Sequence, residues 1–259
     1  LLAGAIAVLV PLASLAVTRA PVPAPPRPTL RLMTYNVHQG FGLDNASSLD
    51  ALVETIEREA PDVLVLQEAV RGWMIAQQHD VVGVLSERLA MPYAFAPTIG
   101  DVYGNAVLSR MPMTVEARVL FPRAAGLRHQ PRGALIVRIA DVVIAATHLD
   151  EHEDASAVRQ DQVRALLREL DGRGPAVVVA GDLNAPPESL ELGLLAQSDF
   201  ADLAVMAGAR EGTYPADVPV RRIDYVLGIG VIAAQAHTVA STASDHRAVV
   251  VNITRIEGR

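Results

Sequence analysis

Apolar positions along this chain follow two different periods. Residues 49–59 place Leu49, Leu52, Val53 and Ile56 on one helical face, behind Ser47 and Ser48 as caps. Pro61-Asp62 stops that helix. A second helix is expected over 81–90 behind Asp80, and the longest over 154–170, opened by Asp154, with Val158, Val163, Leu166, Leu167 and Leu170 apolar. A short helix should follow Pro187. Short apolar runs closed by turn residues read as strands: 29–38, 63–66, 93–96, 104–109, 114–121, 134–140, 142–148, 176–180, 222–227, 231–240 and 248–253. Helices interleaved with consecutive, hairpin-like strands predict two packed sheets with helices outside, rather than a doubly wound parallel sheet. No internal repeat or second domain is visible within 29–255.

The two ends break this pattern. The chain lacks an initiator Met and reads as part of something longer. Residues 1–17 are apolar and uncharged, with Pro11 inside the run. That length is at the short limit for a membrane span. A signal-peptide core is the rival reading, with Thr18-Arg19-Ala20 as a weak cleavage site. Pro21 follows directly and no basic segment precedes the run, which favours the end of a transmembrane helix. The expected division is 1–18 as that helix end or signal segment, 19–29 as a stiff Pro-rich linker, 30–255 as the folded domain, and 256–259 as a protease-cleavage linker outside the fold.

Composition excludes several chemistries. The 259 residues contain no Cys, and all 22 basic residues are Arg. Thiol nucleophiles, thiolate metal sites, Schiff bases and P-loop lysines are therefore ruled out. Net charge is 22 − 29 = −7. An acidic balance argues against sequence-independent nucleic-acid binding, although a local Arg patch could still serve a nuclease.

The candidate chemistry gathers at strand ends. Asn36, Glu68, His148, Asp182, Asn184, Asp224, Asp245 and His246 all fall at or near them. Asp182 and Asn184 are two apart on an extended segment, so they face one spot. A carboxylate and an amide beyond a buried strand suit a phosphate and a hard cation better than they suit packing. Ser244-Asp245-His246 adds a second carboxylate and an imidazole before the last strand.

Seven motifs occur in order: Thr34-Tyr35-Asn36, Leu66-Gln67-Glu68, residues 104–109 (GNAVLS), Thr147-His148-Leu149, Gly181-Asp182-Leu183-Asn184, Arg222-Ile223-Asp224-Tyr225 and Ser244-Asp245-His246. In that order they resemble the endonuclease/exonuclease/phosphatase superfamily, the DNase I-like fold. The resemblance implies a four-layer α/β/β/α sandwich and Mg²⁺-dependent cleavage of a phosphoester, with Mn²⁺ as a substitute ion. It implies Glu68 as the principal metal ligand, with Asn36 and Asp245 beside it. Asp182 would orient or deprotonate water, and Asn184 would steady the developing charge. His246 would stand opposite the leaving group, paired with Asp224, and His148 would contact the phosphate or donate a proton. Which of Asp182 and His246 is the base stays open. Asn105 and Tyr103 are weaker candidates for substrate contacts. Arg159 and Gln162 read as scaffold, and Trp73 and Met74 as core, with a lipid-facing rim as the alternative. Arg123, Arg128, His129 and Arg132 read as a solvated basic loop, with an anionic head-group contact as the alternative, and Asp150, Glu151, Glu153 and Asp154 as a solvated loop and helix cap. His38, His79, His152 and His237 show no partner.

The superfamily covers several substrates, so the fold does not choose one. The apolar leader and acidic balance lean toward lipid. Residues 35–41, 71–73 and 103–110 also look similar to a membrane-tethered branch related to proteins that remodel the lipid of GPI anchors. The expectation is a membrane-anchored phosphodiesterase with an extracytoplasmic domain, acting on a lipid or head-group phosphoester. An extracytoplasmic nuclease is the alternative enzyme, and a lipid- or glycan-binding module the non-enzymatic one.

Overall fold

A computed structural model describes residues 29–123 and 128–256; the apolar leader and most of the linker lie outside the described residues. Two six-stranded sheets face each other. The first contains β1 (Thr29–Asn36), β2 (Val63–Val70), β3 (Tyr93–Ile99), β4 (Tyr103–Ser109), β11 (Val231–Val239) and β12 (Ala248–Arg255), in the order β11-β12-β1-β2-β4-β3. The second contains β5 (Met113–Leu120), β6 (Gly133–Ile139), β7 (Val142–His148), β8 (Val177–Asp182), β9 (Ala201–Asp202) and β10 (Asp224–Ile229), in the order β5-β6-β7-β8-β10-β9. Helices α1 (Leu49–Glu59) and α2 (Val81–Leu89) cover the first sheet. Helices α3 (Ser156–Leu170) and α4 (Leu190–Gln197) cover the second, and a single turn, α5 (Leu203–Met206), packs by β10 and β11.

The layering explains the apolar pattern. Leu32, Val65, Val107, Leu135, Ile144 and Val178 meet between the sheets. Met33, Tyr35, Leu64 and Leu66 face α1 and α2 from the same strands, and Val143, Ala145, Val177 and Val179 face α3 and α4. Central strands are therefore buried on both faces and read as continuous apolar runs. Edge strands β5 and β11 alternate, because one face of each meets water. Among the described residues no helix is long and apolar enough to cross a membrane.

Each sheet has one parallel pair at its centre, β1–β2 joined through α1 and β7–β8 joined through α3. A helical crossover returns the chain to the same starting edge, so both strands of each pair finish at the same end of their sheet. Asn36, Glu68, His148 and Asp182 sit at those finishing ends. In the second sheet the register runs from Gly133 through His148 and Asp182 to Asp224 across four neighbouring strands. That row requires β8 to approach β7 closely. Gly181 permits it: its φ is +151°, and a Cβ there would lie 1.9 Å from the Thr147 carbonyl oxygen.

Several expected boundaries move for local reasons. The strand over 63–66 continues to Val70, because a bulge after Leu66 lets pairing with β4 resume at Ala69. The helix over 154–170 begins at Ser156, since the Asp154 carboxylate is taken by Arg128 at 2.5 Å and cannot cap it. Ser48 does not cap α1 with its side chain; its hydroxyl donates to the carbonyls of Gly40 and Ala243. The strand over 222–227 becomes Asp224–Ile229, and the Tyr225 hydroxyl donates to the Arg222 carbonyl. Asp80 caps α2 as expected, accepting from Gly83 N at 2.8 Å.

Candidate active site

The bulge in β2 turns Glu68 out of the ladder with φ +52°, a left-handed conformation unusual for Glu. Strained backbone of this kind persists where surrounding structure fixes it, and it concentrates at working sites. The Glu68 carboxylate accepts from Gln39 Nε2 at 3.0 Å and faces Asn36 Nδ2 at 3.5 Å. It has no cationic partner within ion-pair distance among the described residues. Two amide donors leave a carboxylate with spare lone pairs, which suits a hard cation with oxygen ligands.

Asn36 spans the two sheets. Its Nδ2 donates to Asp182 Oδ2 at 3.1 Å, while its Oδ1 accepts from His38 N at 3.1 Å. Asn36 thus braces the two carboxylates through Nδ2, and its Oδ1, which accepts one hydrogen bond, keeps a second lone pair. Asp245 follows Ser244, whose hydroxyl donates to the Asn36 carbonyl at 2.7 Å and ties this turn to the end of β1. Asp245 Oδ1 lies 3.7 Å from His38 Nδ1, a neighbour that sequence spacing could not reveal.

Asp182, Asp224 and His246 form a fully enclosed group. His246 Nδ1 is 2.9 Å from Asp224 Oδ2, and its Nε2 is 3.7 Å from Asp182 Oδ2. Burial works against the imidazolium, but the carboxylates of Asp224 and Asp182 overcome it and push the His246 pKa up to about 10. Burial and the Asp224 charge push Asp182 up to about 7, against the pull of His246 and the N–H groups of Asn184 and Asn36. Asp224 Oδ1 is buried with no hydrogen-bond partner among the described residues. The 209–222 segment locks this group in place: Thr213 Oγ1 accepts from Asp224 N, and the Tyr214 ring lies 4.9 Å from that of His246.

His148 lies between two N–H groups; a neutral imidazole accepts at one nitrogen and carries its own proton on the other, and its Nε2 also lies 3.6 Å from Asp182 Oδ2. Arg132 Nη1 is 3.0 Å from its Nδ1, and Asn184 Nδ2 is 3.1 Å from its Nε2. Burial, the Arg132 guanidinium and His246 hold its pKa well below the usual histidine value, so the ring is neutral. Asn184 has φ +48°, which Asn tolerates, and its N–H caps Asp182 Oδ1 at 2.9 Å.

The expectations for the loops need correcting. Arg132 is 4% exposed, not solvated; it bonds His148, the Tyr103 hydroxyl and Glu151, and its Nε has no partner among the described residues. The sequence signal was its position just before a strand paired with His148, and it was outweighed by the run of neighbouring arginines. His129 and Asp150 are likewise buried, against each other. Met74 is 79% exposed rather than in the core, whereas Trp73 packs on Tyr103 with ring centroids 5.1 Å apart. Asn105 donates to the Gly133 carbonyl at 3.0 Å and so bridges the sheets beside Arg132. Tyr103 reaches the site through its hydroxyl. Arg159 pairs with Glu191 and Gln162 accepts from Asp150 N, both buried scaffold roles.

Residues 33–246 match the model of the endonuclease/exonuclease/phosphatase family. Among solved structures, an endonuclease/exonuclease/phosphatase from Beutenbergia cavernae is 26% identical, with TM-score 0.70, covering 89% of this chain and 72% of that one. A conserved protein from Enterococcus faecalis is 20% identical, with TM-score 0.70, covering 87% of this chain and 100% of that one. The human Nocturnin catalytic domain is 18% identical, with TM-score 0.68, covering 88% and 95%. The last two likenesses show the fold alone. No curated protein sequence gives a significant match.

Proposed function

Because the chain belongs to the endonuclease/exonuclease/phosphatase family, a family of hydrolases acting on phosphoester bonds, we propose that it is a Mg²⁺-dependent phosphodiesterase. We place it at a membrane through its apolar leader, with the folded domain outside the cytoplasm, acting on a lipid or head-group phosphoester. One observation carries the chemistry. Asp182 and His246 lie 3.7 Å apart in one buried group, with His246 Nδ1 2.9 Å from Asp224 Oδ2; burial beside Asp224 raises the Asp182 pKa, and the two carboxylates, against burial, raise that of His246. A carboxylate that is readily protonated beside an imidazolium that is hard to deprotonate divides base and acid work between them.

In this reading Asp182 takes the proton of the attacking water. His246 stays charged, held by Asp224, and presents its Nε2 proton to the phosphoryl oxygens or the leaving group. Asn184 and Arg132 donate to the same oxygens as charge builds. His148, neutral and flanked by donors, is a poor proton donor; it serves as a fixed wall that aims Asn184 and Arg132. Glu68 would hold the Mg²⁺, with Asp245 nearby and Asn36 bracing Glu68; Mn²⁺ would serve in its place. When bound, the ion neutralises phosphate charge and acts as a Lewis acid.

Support for a lipid comes from apolar side chains near the candidate site. Trp73 packs on Tyr103 on one side, and Tyr214 packs on His246 on the other. Next to them Met74, Val218 and Val220 are 79%, 65% and 76% exposed. Large apolar side chains flanking a polar site suit a substrate with an apolar tail. The test is hydrolysis by the purified chain with Mg²⁺, on phospholipid vesicles and supercoiled DNA in parallel, with Glu68→Ala as control. Glu68-dependent turnover of lipid alone supports the whole reading. Glu68-dependent nicking of DNA alone moves the chain to the nucleases. A Glu68→Ala protein as active as the parent overturns the mechanism.

A further inference from the structure

A second group of titratable side chains lies where residues 128–132 meet residues 150–154. His129 Nδ1 is 2.7 Å from Asp150 Oδ2, and His152 Nδ1 is 2.9 Å from Asp150 Oδ1. One carboxylate therefore takes an imidazole on each oxygen. The two rings meet edge to face with centroids 5.0 Å apart, and the three potential ligand atoms all lie within 4.8 Å of one another. Glu151 Oε1 stands 3.8 Å from His152 Nδ1. We infer that this is a binding site for a borderline divalent transition metal, Zn²⁺ foremost, held by His129, Asp150 and His152, with its fourth position taken by Glu151 or water.

The donor set chooses the metal. Two imidazoles and one carboxylate are a common three-ligand zinc set. Mg²⁺ prefers oxygen ligands and keeps its waters, so it competes poorly here. At metal–ligand distances of about 2.0–2.2 Å, neighbouring ligand atoms stand roughly 3.3 Å apart. The present contacts of 2.7 and 2.9 Å, one to each oxygen of the carboxylate, would have to lengthen, and the three ligand atoms already lie within 4.8 Å of one another. The His152 side chain, 27% exposed, leaves room for that movement.

The outer contacts are those a metal site needs. Asp150 Oδ1 also accepts from His152 N at 3.1 Å, and Asp150 N donates to Gln162 Oε1 at 3.0 Å. Arg159 Nη1 donates to the carbonyls of Asp150 and His152 at 3.2 and 2.6 Å. These bonds fix the carboxylate and the turn that carries His152, as hydrogen bonds around ligands do elsewhere. Burial opposes the Asp150 charge, yet the hydrogen bonds from His129 and His152 hold its carboxyl below the usual range, so it is an anion at neutral pH. On binding, the cation replaces both Nδ1 protons and each ring carries its proton on Nε2. His129 Nε2 now accepts from Arg128 Nε at 3.3 Å; that contact would be released, while Arg128 keeps Asp154 at 2.5 Å. The metal would clamp together the two segments that flank Arg132.

The test is Zn²⁺ titration calorimetry on the purified chain in excess Mg²⁺, with bound zinc counted after gel filtration. The expected result is one tightly held Zn²⁺ in the parent, in Glu68→Gln and in His246→Gln. In His152→Gln and His129→Gln its affinity should fall by about 100-fold or more, beyond the 10–100-fold typical of outer-shell losses. Imidazole ¹⁵N spectra of the unaltered chain should show two Nδ1 resonances moving on zinc addition, a readout that needs no variant to fold. The proposal is overturned if the parent holds no zinc, or if zinc moves no Nδ1 resonance. It also falls if His152→Gln keeps the parent affinity, or if His246→Gln is the variant that loses the metal.

Discussion

The two buried clusters are near inverses in composition. Asp182, Asp224 and His246 offer two carboxylates and one imidazole; His129, Asp150 and His152 offer one carboxylate and two imidazoles. The first grows from strand ends on the rigid sheet. The second joins two connecting segments. In the first, burial and then the neighbouring Asp224 charge raise Asp182 to about 7, and Asp224 Oδ1 has no hydrogen-bond partner among the described residues. In the second, donors exceed the carboxylate, every carboxylate oxygen is used, and the Asp150 pKa falls. Surplus negative charge in a dry place is costly unless something charged arrives to use it. The difference therefore separates a site poised for chemistry from one poised for holding.

That contrast can be broken in graded steps. Glu68→Ala and His246→Ala should each reduce Mg²⁺-dependent phosphodiester turnover by about 10³-fold, read as kcat on a soluble diester, without unfolding the sheets. Asp224→Asn should cost about 10²-fold. It should also bring the alkaline limb of the pH–rate profile down toward neutrality, because His246 loses the carboxylate that holds its proton to about 10. A profile whose alkaline limb stays put would sever Asp224 from the acid role.

Stability should respond to pH in opposite senses at the two clusters. Asp182 and His246 both bind protons more tightly in the folded state, so the metal-free fold loses their contribution as pH rises. For Asp182 the loss spans about 3.8 to about 7, and for His246 it spans 6.5 to about 10. His246→Gln should flatten the alkaline part of a plot of Tm against pH. The Asp150 contribution runs the other way, present above its ordinary pKa of 3.8 and lost as pH falls through its lowered value. Asp150→Asn should cost about 1–3 kcal/mol at pH 7, since two imidazole contacts lose their charged partner, and the cost should shrink in acid. Equal slopes in parent and His246→Gln proteins between pH 7 and 10 would contradict the first half of this picture.

The apolar periods alone placed most helices and strands, because burial on both faces of a central strand and on one face of a helix leaves a local trace. The order of polar motifs at strand ends likewise singled out Glu68, Asp182, Asn184, Asp224 and His246 as candidates, and the fold brings them to one place. Other features were not local. Arg132 looked like one arginine among several exposed ones, and only the pairing of β6 with β7 buries it against His148. His129 and His152 lie 23 residues apart and appear unrelated until Asp150 sits between them. The bulge that turns Glu68 outward depends on where β4 resumes its pairing, not on residues 63–70 themselves. Sequence by itself determined the two packed sheets with helices outside, through periodicity, and the residue types available for catalysis, through chemical identity, while the ordered motifs carried the family resemblance. Tertiary structure decided which charges share a dry space and how far each pKa moves, because that depends on distances between strands far apart in the chain.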